Sequence, residues 1–146
     1  MGTYSKILLA LDLSSESDQL KSKAYELAKA NDAQLYAVHV IEPLSFAYGG
    51  DVPMDLTSIQ EQLDKHAQQK LKRYCETLDY PVTEQLVVTG QTESEIHRLA
   101  DDYDIDLVIV GSHGRHGIAL LLGSTANGVL HGAKCDVLAV RIQDQD

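Results

Sequence analysis

Short continuous apolar runs alternate along this chain with longer stretches in which apolar residues recur every three or four positions. The runs cover residues 7–11, 35–41, 86–88, 107–110 and 137–142. Runs without polar alternation are the pattern of strands covered on both faces, as in a parallel sheet flanked by helices. Between the first two, Leu20, Ala24, Leu27 and Ala28 share one helical face, with Ser15 and Asp18 as a start signal. The longest stripe comprises Leu56, Ile59, Leu63, Ala67, Leu71, Tyr74 and Leu78, and Thr57 with Gln60 has the form of a capping box. Ile96, Leu99, Ala100 and Tyr103 define a third helix, with Thr92 and Glu95 as its capping box. Ala126, Val129 and Leu130 mark a short fourth helix from Ser124 to about His131.

The order is β-α-β-α-β-α-β-α-β. It predicts the α/β class, an open parallel sheet with helices on both faces, because parallel neighbours need a helical crossover. All 146 residues fit one domain. One connection is unusually long: EPLSFAYGGDVPMD, residues 42–55, which reads equally as a lid, a partner-facing segment or an irregular surface insertion.

Charge removes several classes of partner. With 22 Asp and Glu against 12 Lys and Arg, and no basic cluster, the chain lacks the face that a non-specific nucleic-acid binder needs. The same balance disfavours anionic membrane surfaces. The apolar run in MGTYSKILLALD is too short for a signal peptide or a membrane span, and Gly2 with Ser5 misses the myristoylation spacing. Cys75 and Cys135 lie far apart and form no C-x-x-C pair, so a reduced, cytoplasmic setting is the simplest expectation.

In a doubly wound sheet, ligands sit beyond the carboxyl ends of the strands, where the winding reverses. Asp12 closes the first strand, and GSHGRHGIALLLGSTANG, residues 111–128, closes the fourth. If those strands are neighbours, Asp12 and Gly111 face one crevice. Glycines let several N–H groups converge on a phosphate, and a following helix adds its own unsatisfied N–H groups. Gly111, Gly114, Gly123 and Ser124 supply these elements. On the glycine pattern alone, a phosphate cradle and an unoccupied turn are equally supported. The familiar phosphate loops are absent: no glycine precedes a lysine, and neither G-x-G-x-x-G nor G-x-S-x-G occurs. His113 and His116, or His131 and Cys135, could suggest a metal, but nothing joins the two pairs into one site, so no metal held by protein side chains alone is expected. His39 reads as a hydrogen-bonded core histidine, His66 and His97 as residues on solvated helix faces, and Cys75 as packing.

KILLALDLS at the start, AVHVIE after the second strand and VIVGSHGRHGIALLLGSTANGVLHGAKCDVLAV at the end resemble the universal stress protein family. The resemblance covers essentially the whole chain, and its last segment is the most specific part. It implies a five-stranded Rossmann-like sandwich of strand order 3-2-1-4-5, akin to the adenine-nucleotide alpha-hydrolase folds. It also implies an ATP or AMP ligand, magnesium accompanying ATP near Asp12, and a homodimer paired through the last strand, Val137 to Ile142. By the same resemblance Gly111, Gly114, Gly123, Ser124 and Thr125 are phosphate and ribose contacts, Ser112, His113 and Arg115 lie among them, and Val110 leads into the loop. Asp12 matches the acidic residue at the ribose or the metal-bound phosphates, Ala10 and Leu11 line the base pocket, and the backbone of Val40 reads the adenine edge. One departure is visible: eight residues, RHGIALLL, separate Gly114 from Gly123, one fewer than the family's pattern.

The expected role is therefore a dimeric stress-response sensor or regulator that binds an adenine nucleotide. Two alternatives stand beside it. One is an enzyme (a slow ATPase, an autokinase or an adenylyl transferase), although the glycine of His113-Gly-Arg-His116 is misplaced for an H-x-G-H motif. The other is a nucleotide-independent interaction module. A receiver-type signalling domain shares the alternation but needs an aspartate and a lysine where this chain has Thr89-Gly90 and Arg141.

Overall fold

Each apolar run becomes a strand because both of its faces find a helix to pack on. The computed structural model describes residues 2–42, 56–113 and 128–142. Its strands are β1 (Lys6–Ala10), β2 (Gln34–Ile41), β3 (Val82–Thr89), β4 (Leu107–His113) and β5 (Asp136–Ile142). All pair in parallel, in the order β3-β2-β1-β4-β5. This is the expected order, and it makes β1 and β4 neighbours, with Leu9 opposite Ile109. Three long helices flank the sheet: α1 (Leu20–Asn31), α2 (Leu56–Glu76) and α3 (Thr92–Asp102). A further helical turn covers residues 128–130.

Period-two alternation divides the strands between two cores. Ile7, Leu9, Leu35, Ala37, Leu107 and Ile109 face α1 and α2, where Leu20, Ala24, Ala28, Leu71, Tyr74 and Leu78 meet them. Leu8, Tyr36, Val38, Val108 and Val110 face the other way, onto Ile96 and Leu99 of α3 and Val129. A polar side chain without a partner in either register would be stranded in a core, hence the predominantly apolar runs.

Three sequence expectations change. The third run, residues 86–88, belongs to an eight-residue strand whose first half is largely exposed. β3 lies at the sheet edge, so Thr83, Glu84 and Gln85 can stay in solvent and carry no apolar signal. The Thr92–Glu95 capping box does not form. Thr92 is already helical, the N-cap is Gln91 without a side-chain bond, the Thr92 hydroxyl donates to Glu42 Oε1 at 3.1 Å, and Glu95 pairs with Arg98. Ahead of α1, Ser15–Gln19 winds as a 3-10 turn, and Asp18 pairs with Lys21 instead of capping. The Thr57 side chain, most of residues 42–55 and the first part of the fourth helix lie outside the described residues.

Cys75, on the core-facing side of α2, is buried as expected. Burial pushes its thiol up to about 11. The Tyr74 phenol is raised as well, first by burial and then by the Asp18 charge, while its hydroxyl donates to the Ser17 carbonyl at 2.7 Å. Both groups keep their protons in the folded protein where the unfolded chain has begun to lose them. Their contribution is therefore complete below about pH 9 and is lost as pH climbs towards about 11 and beyond. Urea unfolding at about pH 8 and about pH 10.5 should show this loss, and Cys75→Val should flatten part of the slope.

Candidate functional site

Beyond the carboxyl ends of β1 and β4 lies a cavity of about 280 Å³. Ala10, Leu11 and Asp12 form its β1 wall, Val40 its β2 wall, and Val110 and Gly111 its β4 wall. These six sequence-predicted residues thus meet in one place, because β1 and β4 are the neighbours at which the winding reverses. Ser112 and His113 continue β4 past the cavity, in register with Arg141 and Ile142. The glycine-rich stretch therefore starts inside a strand. Gly114, Arg115, Gly123, Ser124 and Thr125 lie outside the described residues.

At Gly111 a Cβ would run into Ile142 Cδ1, which also lines the cavity, so a side chain there would require Ile142 to shift. Asp12 sits in a tight turn. Its Oδ1 accepts the Ser14 N–H at 2.9 Å, the Ser14 hydroxyl at 2.8 Å and the buried Ser17 hydroxyl at 2.6 Å. The chain reverses at Leu13, whose φ of 61° is a left-handed conformation that a branched side chain adopts at a cost of about 1–2 kcal/mol. A regular β extension would carry Asp12 away from those donors.

Backbone alternation prepares the β2 wall. The Leu11 N–H donates to the Val38 carbonyl at 2.9 Å, so the backbone groups of Val38 face β1. The β1–β2 register ends at Ala10 opposite Val38. Two residues further on, Val40 turns its N–H and C=O the same way, into the space that β1 has vacated. The His39 side chain also lines the cavity, and its Nδ1 donates to the Leu11 carbonyl at 2.8 Å. A carbonyl only accepts, so Nδ1 carries the proton. The hydrogen-bonded role expected of His39 holds, and it ties β2 to the turn that carries Asp12.

His97 departs from its expectation. Its Nε2 lies 2.8 Å from the Val129 carbonyl, which makes it a clamp between α3 and the 128–130 turn rather than a solvated residue. It also lines a second cavity of about 280 Å³, with Asp101, Asp104, Lys134 and Cys135, away from the strand ends that converge at Asp12. Among the described residues, no group of three or more His, Cys, Asp or Glu side chains could hold a metal. No helix among them is long and apolar enough to cross a membrane.

Glu42, Thr92 and Ile96 also line the first cavity, and the sequence pattern did not single out any of them for the site. Thr92 was assigned to a cap and Glu42 to the start of a long connection. A signal was available, since both follow strand ends (VHVIE and VVTG), where ligands of such sheets sit.

The model of the universal stress protein family matches residues 3–141. The chain belongs to that family. It is 47% identical over 147 residues to universal stress protein A homolog 2 of Coxiella burnetii, covering 98% of this chain and 99% of that one. Among solved structures, universal stress protein UspA from Lactobacillus plantarum superposes with a TM-score of 0.77 at 23% identity, covering 97% of this chain and 100% of that one. A universal stress protein solved in complex with cAMP superposes with a TM-score of 0.60 at 24% identity, covering 96% and 98%. At these identities the structural likenesses speak to the fold.

Proposed function

We propose that this universal stress protein binds an adenine nucleotide, ATP or AMP, at the cavity between β1 and β4 and acts as a dimeric, cytoplasmic stress-response sensor or regulator. The observation that carries this reading is the convergence of Asp12, Val40 and Gly111 on one cavity at the winding reversal. The inward-facing N–H and C=O of Val40 match the N1 acceptor and 6-amino donor of adenine. Gly111 leads into the glycine loop that would hold phosphates, with Gly114, Gly123, Ser124 and Thr125 as contacts and Ser112, His113 and Arg115 beside them. Asp12 would face the ribose or a phosphate-bound magnesium. That a relative of the same fold holds cAMP supports an adenine ligand.

β5 supports the dimer. It is an edge strand, and Val137, Leu138, Ala139 and Val140 are only partly covered in the single chain. An apolar edge with open backbone groups favours pairing with a second strand. Native mass spectrometry of freshly purified protein tests both parts. The expected species is twice the chain mass with bound AMP or ATP. A monomer without ligand, together with no heat on titration with either nucleotide, overturns the reading.

A further inference from the structure

Glu42 and Thr92 have no part in the assignments above, yet both line the cavity beside Val40. They come from different elements. Glu42 directly follows β2, and Thr92 opens α3 just after β3. The Thr92 hydroxyl donates to Glu42 Oε1 at 3.1 Å, which fixes the direction of the proton between them. A carboxylate offers only acceptors, and a threonine hydroxyl whose proton is engaged also has only lone pairs left to present. The pair is therefore an acceptor-only edge at the mouth of the cavity, two residues beyond the Val40 backbone.

We propose that Glu42, held in place by Thr92, is a specificity-determining residue that selects a base bearing an amino group at its 6 position over a 6-oxo base. This rests on the nucleotide reading of the cavity. An exocyclic amine has two hydrogens. The Val40 carbonyl can accept one and the Glu42 carboxylate the other. A 6-oxo purine instead places a carbonyl oxygen against the carboxylate, with no proton between them. A polar site matched to a donor rejects the analogue that lacks it, because its own acceptors lose their partner.

The test is calorimetric titration of the wild type and of Glu42→Gln with ATP and with inosine triphosphate, which carries oxygen at position 6. Glutamine keeps the size and adds a donor that can meet the 6-oxo group. The wild type is expected to prefer ATP, and Glu42→Gln to reduce that preference roughly tenfold. Part of the preference should survive through the Val40 backbone. Thr92→Val, which frees the carboxylate to rotate, should give a smaller reduction of the same sign. Binding of inorganic tripolyphosphate should not change in either variant, because only the base edge is altered. An unaltered ratio of ATP to inosine triphosphate affinity in Glu42→Gln, with ATP still bound, overturns this inference and leaves the nucleotide reading standing. A wild type that binds neither nucleotide removes both.

Discussion

Ile109→Ala is expected to lower the unfolding free energy by about 3–4 kcal/mol. Ile109 is fully buried in the middle of β4, between Leu9 of β1 and Leu138 of β5. The large-to-small change removes buried methyl and methylene groups and leaves a hole. Neighbouring strands pinned by ladder hydrogen bonds on both sides close such a hole poorly. Domains of this size are stable by only about 5–15 kcal/mol, so the loss would be a large share of the total. Urea denaturation followed by circular dichroism reads it. A loss below about 1 kcal/mol would mean that the centre of the sheet is not where the fold is held. Ile109→Val, which removes one methylene, should cost only about 0.5–1.5 kcal/mol, and the contrast separates packing from any change in strand propensity.

Ala10→Trp is expected to weaken ATP binding on the order of 100-fold, equivalent to about 2.7 kcal/mol. Ala10 is the last residue of β1. Its small side chain forms part of the wall of the 280 Å³ cavity where the base would sit. An indole there would occupy the space proposed for the purine. Ala10 is only partly buried, so the ring can tilt towards the opening instead of forcing the core apart. The thermal midpoint should therefore change little. Calorimetry measures the affinity and a thermal melt checks the fold. A folded variant that binds ATP as tightly as the wild type would place the base elsewhere.

Where the sequence is informative, the physical cause is burial. Strands covered on both faces admit few polar residues, and His39 is tolerated because its ring is hydrogen-bonded, so residues 7–11, 35–41 and 107–110 announce themselves in one dimension. β3 shows the converse. At the sheet edge, Thr83, Glu84 and Gln85 are exposed, and the half of the strand that carries them left no periodic signal. Helix starts were similarly ambiguous. Thr92 and Glu95 have the spacing of a capping box, but a hydroxyl takes the acceptor that tertiary structure brings to it, here Glu42 from fifty positions away in the chain. His97 gave no hint of its bond to Val129 for the same reason.

The candidate site divides along the same line. Asp12 and the glycines stand out from sequence because they interrupt apolar runs at strand ends and because the segments around them resemble those of a known family. Sequence by itself determined the α/β class, the parallel sheet and the family, since all three depend on local periodicity and on motifs contiguous in the chain. Only the tertiary structure decided that Ala10, Val40, Gly111, Glu42 and Thr92 surround a single cavity. Their convergence depends on β1 lying between β2 and β4 and on β2 running three residues past the end of β1. Strand order and register are set by side-chain packing between segments distant in the chain. No local pattern encodes the direction in which Val40 turns its backbone or the partner that Thr92 finds.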